Sequence, residues 1–244
     1  MKKRDILYYI GTGSRWNNNE LRYSLRSLER YGQGIGRIFI VGTKPDFVND
    51  RVAFLPFTDV SRSFFNSVAK INAAIDDFIG QMTDEILIMM DDVFLCAPVN
   101  LSEYGYFFKN DHLETKRPNA WGNNINDTGE LLRGLGFADR DFEQHAPFLV
   151  DLAKWQCLRE VFSFSNKVRD GLAWRSIYAN VHAVEAERMA DCKIRARHLQ
   201  DRGAAAVSEI IAGRHCFSID DSAPAAGVAD WLKAEFPTKS QWER

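Results

Sequence analysis

Apolar residues along this chain gather into short blocks separated by helix-period patterns. DILYYI (5–10), RIFIVG (37–42) and EILIMM (85–90) each open on a charged residue and then run on with no polar side chain. A strand buried on both faces of a parallel sheet carries such a run. RVAFLPF (51–57) is a further extended piece, preceded by a loop marked by Pro45 and Asp46. Leu21, Leu25 and Leu28 stand at i, i+4 and i+7, which predicts a helix capped by the asparagines at 17–19 and stopped at Gly32. Phe64, Val68, Ile71, Ile75 and Phe78/Ile79 predict a second helix over 63–80. The order β-α-β-β-α-β over the first 95 residues predicts an α/β fold with an open, mixed but mostly parallel sheet and flanking helices.

Residues 100–145 interrupt this pattern. They are polar and poor in β-branched runs, which predicts a loop-rich insertion with an edge strand or two. From about 146 helices are expected to dominate, over 149–162, 174–190 and 228–236, with one short strand in GRHCFSIDD (213–221). No repeat and no linker divides the chain. A single domain over 1–244 is therefore expected, with an α/β half (1–100) and a loop-rich, helical half (101–244) that closes the site.

Composition narrows the classes. The 244 residues are 45% hydrophobic and 26% charged, enough for a sizeable core. A net charge of −2 leaves no basic excess to hold a polyanion, so nucleic acid is not an expected partner. Four scattered cysteines form no CxxC pair and suit a reducing compartment. The five-residue run after MKKRD is too short for a signal peptide, and no run is long enough to span a membrane, so a cytoplasmic or membrane-peripheral location is expected.

Asp91 and Asp92 end the most apolar block, and in open α/β sheets ligands sit beyond the carboxyl ends of the strands. Apolar residues resume directly after them, which is unlike an open polar turn. Two carboxylates in a dry site repel, and a hard divalent cation, Mg²⁺ or Mn²⁺, relieves that repulsion. Asp220 and Asp221 form a second acidic pair after CFSI, which could meet the first at one metal. His145 in QHAPF is a candidate proton acceptor. Arg22, Arg26, Arg169 and Arg175 are candidate phosphate cations, since the planar guanidinium suits phosphate. The GTGS turn brings Gly11 and Gly13 to the end of the first strand, but lacks the third glycine of a dinucleotide fingerprint.

These segments, in order, resemble the Stealth family. DILYYIGTGS is similar to its first conserved region, and WNNNELRYSLRSLERYG and RIFIVGTKPDF to its second. FFNSVAKINAAI and IMMDDVFL resemble its PheAsnSer helix and its AsnAspAspValPhe strand end. QHAPF and SNKVRDGLAWRSIY resemble the third region, HCFSIDD and FPTKSQWE the fourth. Met90 stands where the family usually has Asn, and Ser218-Ile219 stands where CysIleAsn-like residues are expected. The resemblance implies a GT-A-like sugar-nucleotide enzyme, of the kind that builds phosphate-linked capsular polysaccharide. Such an enzyme transfers hexose-1-phosphate from a UDP-hexose donor to a glycan or other hydroxyl-bearing acceptor. It implies Asp91, Asp92, Asp220 and Asp221 as the acidic metal ligands and His145 and Arg169 as catalytic residues beside Asp92, with Arg175 the alternative for the family arginine. In such a reaction Arg26 would join Arg169 in neutralising charge on the transferred phosphate. Gly11, Gly13, Arg22, Asn66 and Ser67 would contact the donor. Two alternatives stand beside this: a glycosyltransferase that moves the sugar alone and releases UDP, and a non-catalytic nucleotide-sugar or glycan-binding protein.

Overall fold

The three apolar blocks lie side by side at the centre of one sheet. A computed structural model describes residues 2–59, 65–161, 171–199 and 202–244. In chain order the elements begin β1 (Arg4–Tyr9), α1 (Asn19–Tyr31), β2 (Gly32–Gln33), β3 (Ile35–Gly42), β4 (Ala53–Pro56), α2 (Phe65–Phe78) and β5 (Glu85–Met89). They continue with β6 (Val93–Leu95), β7 (Val99–Asn100), β8 (Tyr106–Phe108), α3 (Ala120–Gly134), β9 (Phe148–Asp151), α4 (Leu152–Val161) and α5 (Trp174–Val181). The remainder is β10 (Ala186–Arg188), β11 (Lys193–Ile194), α6 (Ala196–Leu199), α7 (Ala204–Ile210), β12 (Cys216–Ile219) and α8 (Ala229–Glu235). The main sheet has the order β4-β3-β1-β5-β9, parallel except for the edge strand β9. The fold is therefore α/β with a mostly parallel sheet.

Alternate residues of the central strands feed two cores. Ile6, Tyr8, Ile38, Ile40, Leu87 and Met89 face α1, with Leu21, Leu25 and Leu28 packed against them. Leu7, Phe39, Val41, Ile86 and Ile88 face the other way, onto Val68, Ile71 and Ile75 of α2 and Trp155 and Tyr178 of α4 and α5. Two buried serines fasten α1 to β6. Ser24 Oγ donates to the Val93 carbonyl at 2.5 Å, and the Leu95 N–H donates to Ser27 Oγ at 2.9 Å.

The polypeptide leaves β5 through Asp91 and Asp92 and enters β6 at once. β6 belongs to a second sheet of order β11-β12-β6. That is why apolar residues resume after the acidic pair: Val93, Phe94 and Leu95 are fully buried in a different sheet.

The second half differs from expectation in three places. Residues 120–134, expected as loop, form α3. Two of its three glycines are where other backbone comes close: a Cβ at Gly122 would lie 1.9 Å from the Arg117 carbonyl oxygen, and one at Gly129 2.4 Å from that of Leu113. The segment 149–162 is not wholly helical, because Phe148–Asp151 pairs with β5 before α4 begins. The helix expected over 174–190 ends at Val181, and Ala186–Arg188 pairs with β8. Among the described residues, no helix is long and apolar enough to cross a membrane.

Candidate functional site

Three strand ends and the start of one helix meet at one cleft of about 200 Å³. It is lined by Gly11, Gly13 and Ser14 after β1, Asp91 and Asp92 after β5, Asp220 and Asp221 after β12, and Glu20 from the first turn of α1. The two acidic pairs, far apart in sequence, are neighbours because β12 pairs antiparallel with β6, and the Ile219 N–H donates to the Asp92 carbonyl at 3.3 Å. Ser14 organises the glycine turn. Its Oγ accepts from the backbone N–H groups of Trp16 and Asn18 and donates to Glu20 Oε2 at 2.8 Å. Asn17 and Asn18 take left-handed backbone conformations, which asparagine tolerates. The side-chain cap expected from these asparagines is not made; Asn18 precedes α1 without a capping bond. A Cβ at Gly13 would meet nothing within 4 Å, so the packing of the chain itself does not require glycine there.

The cleft holds more negative charge than it can leave ionised. Burial first, then Asp92 and Glu20, push the Asp91 carboxyl up to about 7. Burial raises Glu20 as well. Asp220 goes the other way: burial opposes its ionisation, but bonds from Ser222 and the charges of Lys193 and Arg195 outweigh it. Resident cations partner several of these groups. Lys193 Nζ lies 3.3 Å from Asp92 Oδ2, Arg195 Nε 3.7 Å from Asp220 Oδ2, and Arg15 Nε 3.6 Å from Asp221 Oδ2. Asp92 Oδ1 is buried with no hydrogen-bond partner. Among the described residues no three His, Cys, Asp or Glu side chains form a ready-made metal cage. The orphaned Asp92 oxygen beside the Asp91 carboxyl does fit a cation that takes one or two carboxylates and completes its shell with phosphate and water, as Mg²⁺ does.

The strand register carries His145 toward this cleft, although it is not among the lining residues. Ile88 of β5 pairs with Phe148, so residues 145 and 146 continue past the carboxyl end of β5 on the Asp91 side. Its Nδ1 lies 3.1 Å and 3.0 Å from the two carboxylate oxygens of Asp191, and its backbone N–H donates to the same carboxylate. Burial opposes ionisation of Asp191, but His145 outweighs it and holds the carboxyl well below the usual range. An ionised Asp191 places the proton on Nδ1 and leaves Nε2 as the acceptor. Asp191 escaped the sequence analysis because it lies 46 residues from His145 in an unremarked polar stretch. Only Cys192 separates it from Lys193, the partner of Asp92.

Arg175 is 5% exposed, and its guanidinium carbon lies 5.0 Å from the Trp174 ring centroid. Nη1 donates to the Gln144 carbonyl at 3.1 Å, while Nε and Nη2 are buried without a partner. The Tyr9 hydroxyl, raised by burial, feels Arg175 in one direction and Asp92, Glu143 and Asp91 in the other, which puts Arg175 within electrostatic reach of the acidic site. Asn66 and Ser67 lie in the first turn of α2, partly buried. One turn on, Lys70 is 3% exposed; its Nζ donates to the Ile10 carbonyl at 2.7 Å and pairs with Asp59. Nothing in the periodicity set Lys70 apart from a solvated helix residue.

Two expected phosphate cations are engaged elsewhere. Arg26 makes a two-pronged pair with Glu243, at 2.8 and 2.9 Å, and donates to the Phe236 carbonyl. It lines a separate cavity of about 400 Å³ beside Phe236. Arg22 lies over the Phe47 ring and 3.6 Å from Glu243. Their shared helix face covers the C-terminal segment, and the structure does not bring them to the acidic cleft with the other residues expected at the phosphate. Arg169 lies outside the described residues.

No family model matches the chain, and no curated protein matches it.

Proposed function

We propose that this protein is a metal-dependent sugar-phosphate transferase of GT-A-like architecture, acting on a UDP-hexose and an acceptor hydroxyl. One observation carries the reading: the two strand-end acidic pairs share one cleft, and the strand register carries a carboxylate-oriented histidine toward it. The resemblance of the ordered motifs to the Stealth family supports the choice of phosphorus as the centre attacked.

Asp91 and Asp92 would hold Mg²⁺ or Mn²⁺, with Asp220 or Asp221 completing the acidic side. Such an ion, when bound, neutralises charge on the donor diphosphate. The Gly11–Ser14 turn would let backbone approach the donor closely, and Asn66 and Ser67 in the first turn of α2 would hydrogen-bond it. His145 Nε2 takes the proton of the acceptor hydroxyl while Asp191 keeps Nδ1 protonated and the ring fixed. The acceptor oxygen bonds to the hexose-bearing phosphorus, the bond from that phosphorus to the oxygen bridging to UMP breaks, and UMP leaves. Arg175, with two buried unpartnered donors, is suited to the charge on the transferred phosphoryl group.

Incubation with UDP-hexoses, Mn²⁺ and hydroxyl acceptors, followed by identification of the nucleotide released, tests the reading. Acceptor-dependent UMP, lost in Asp92→Ala and His145→Ala, is the expected result. UDP in place of UMP would move the attack to the anomeric carbon and make the protein a glycosyltransferase.

A further inference from the structure

Asp92 offers its two oxygens to very different surroundings. Oδ2 lies 3.3 Å from Lys193 Nζ, whereas Oδ1 is buried with no partner. Lys193 is itself largely covered, 18% exposed, and its backbone is fixed by the ladder that sets Lys193 opposite Ser218. A divalent cation at Asp91 and Asp92 would stand within a few ångströms of this ammonium, and like charges so close in a partly dry cleft repel. Held by its strand, Lys193 can move only its side chain. With Asp92 taken by the metal, the negative groups left within reach of the ammonium are Asp220, whose charge it already feels, and a bound phosphate, which brings the greater charge.

We propose that Lys193 is a placeholder cation. It occupies Asp92 in the ligand-free protein, gives way to the divalent ion, and then donates its ammonium to the diphosphate of the nucleotide. The inference rests on the reading of Asp91 and Asp92 as a metal–diphosphate site. It makes metal and nucleotide mutually reinforcing, since each removes the obstacle to the other, and such coupling is reciprocal by linkage.

Mn²⁺ binding by electron paramagnetic resonance, and UDP binding by calorimetry with and without saturating Mn²⁺, test it in wild type, Lys193→Met and Asp92→Asn. Lys193→Met should bind Mn²⁺ alone about fivefold more tightly, because the competing ion pair is gone. The same variant, loaded with Mn²⁺, should bind UDP about tenfold more weakly, for loss of one charge-assisted bond. Unchanged or weaker Mn²⁺ binding, or undiminished UDP binding, overturns the proposal. A second measurement uses the wild-type protein alone: acylation of Lys193, followed by mass spectrometry, should quicken with Mn²⁺ and slow when UDP is added. Equal rates in all three conditions also overturn it. If Asp92→Asn binds Mn²⁺ as well as wild type, the metal reading itself is wrong and this inference falls with it. If Asp92→Asn loses Mn²⁺ while Lys193→Met behaves as wild type, the site stands and only the placeholder role is lost.

Discussion

Replacing Asp191 by Asn keeps the shape of its pair with His145 and changes its chemistry. An amide N–H turned toward Nδ1 moves the imidazole proton to Nε2, where the proposed reaction needs a lone pair for the acceptor hydroxyl. Nucleotide release by Asp191→Asn should fall roughly 10²- to 10⁴-fold with little change in the KM for donor. A loss confined to KM would show that Asp191 shapes binding and does not orient a base. Asp91 makes a prediction about pH. Its native carboxyl, raised to about 7, keeps a proton that the unfolded chain has already released. The metal-free protein should therefore lose stability as pH rises from about 4 to about 7, since there the native state binds more protons than the unfolded one. Asp91→Asn should remove this decline and be more stable than wild type at pH 8 by about 1–2 kcal/mol. Urea melts in chelator at pH 5 and pH 8 read the difference; parallel behaviour of the two proteins would mean that Asp91 titrates normally.

At the scale of elements, α3 separates two kinds of glycine. A methyl group at Gly122 would meet the Arg117 carbonyl at 1.9 Å, whereas at Gly134 nothing lies within 4 Å. Gly122→Ala should destabilise by about 2 kcal/mol or more, and Gly134→Ala should be neutral or stabilising by up to about 1 kcal/mol. Chemical melts of the two variants check this, and equal effects would show that the helix is not seated against residues 113–117. The same helix shows where sequence reading stopped. β1, β3 and β5 could be read because residues buried on both faces leave an unbroken apolar block. α3 could not, because its contact with Arg117 and Leu113 uses glycine, and glycine read along a line signals a turn. β9 looked helical because four residues are too few to display a period, and its partner β5 lies some sixty positions earlier. The acidic pairs were visible singly as strand ends. Their meeting depends on the antiparallel pairing of β12 with β6, and the His145–Asp191 pair depends on a fold that joins residues 46 apart. Arg22 and Arg26 misled for the converse reason: helical spacing correctly put them on one side of α1, but not what that side faces.

Across the whole molecule, the C-terminal segment is tied to the first half of the chain. Glu243 receives Arg26, the Ser240 N–H and Ser240 Oγ, and its backbone bridges to Val48; Asn49 donates to the Gln241 carbonyl. Trp242 is buried beside them. Burial opposes ionisation of Glu243, yet Arg26 and Ser240 hold it below the usual range. Glu243→Ala strands a largely buried guanidinium and should cost about 3 kcal/mol, whereas the double variant Arg26→Met/Glu243→Leu should recover part of that loss, the Ser240 donors staying unpaired. Thermal melts of the single and double variants decide it; additive losses would mean that the two side chains act independently. The cleft has a mechanical side as well. Asp91 and Asp92 are the crossing from one sheet to the other, and the Ile219–Asp92 hydrogen bond extends the pairing of β12 with β6 up to that crossing. Whatever is gripped by both acidic pairs is gripped by both sheets. Filling the cleft would rivet the two layers together, and prying them apart would empty it, so occupancy and rigidity in this protein are one quantity.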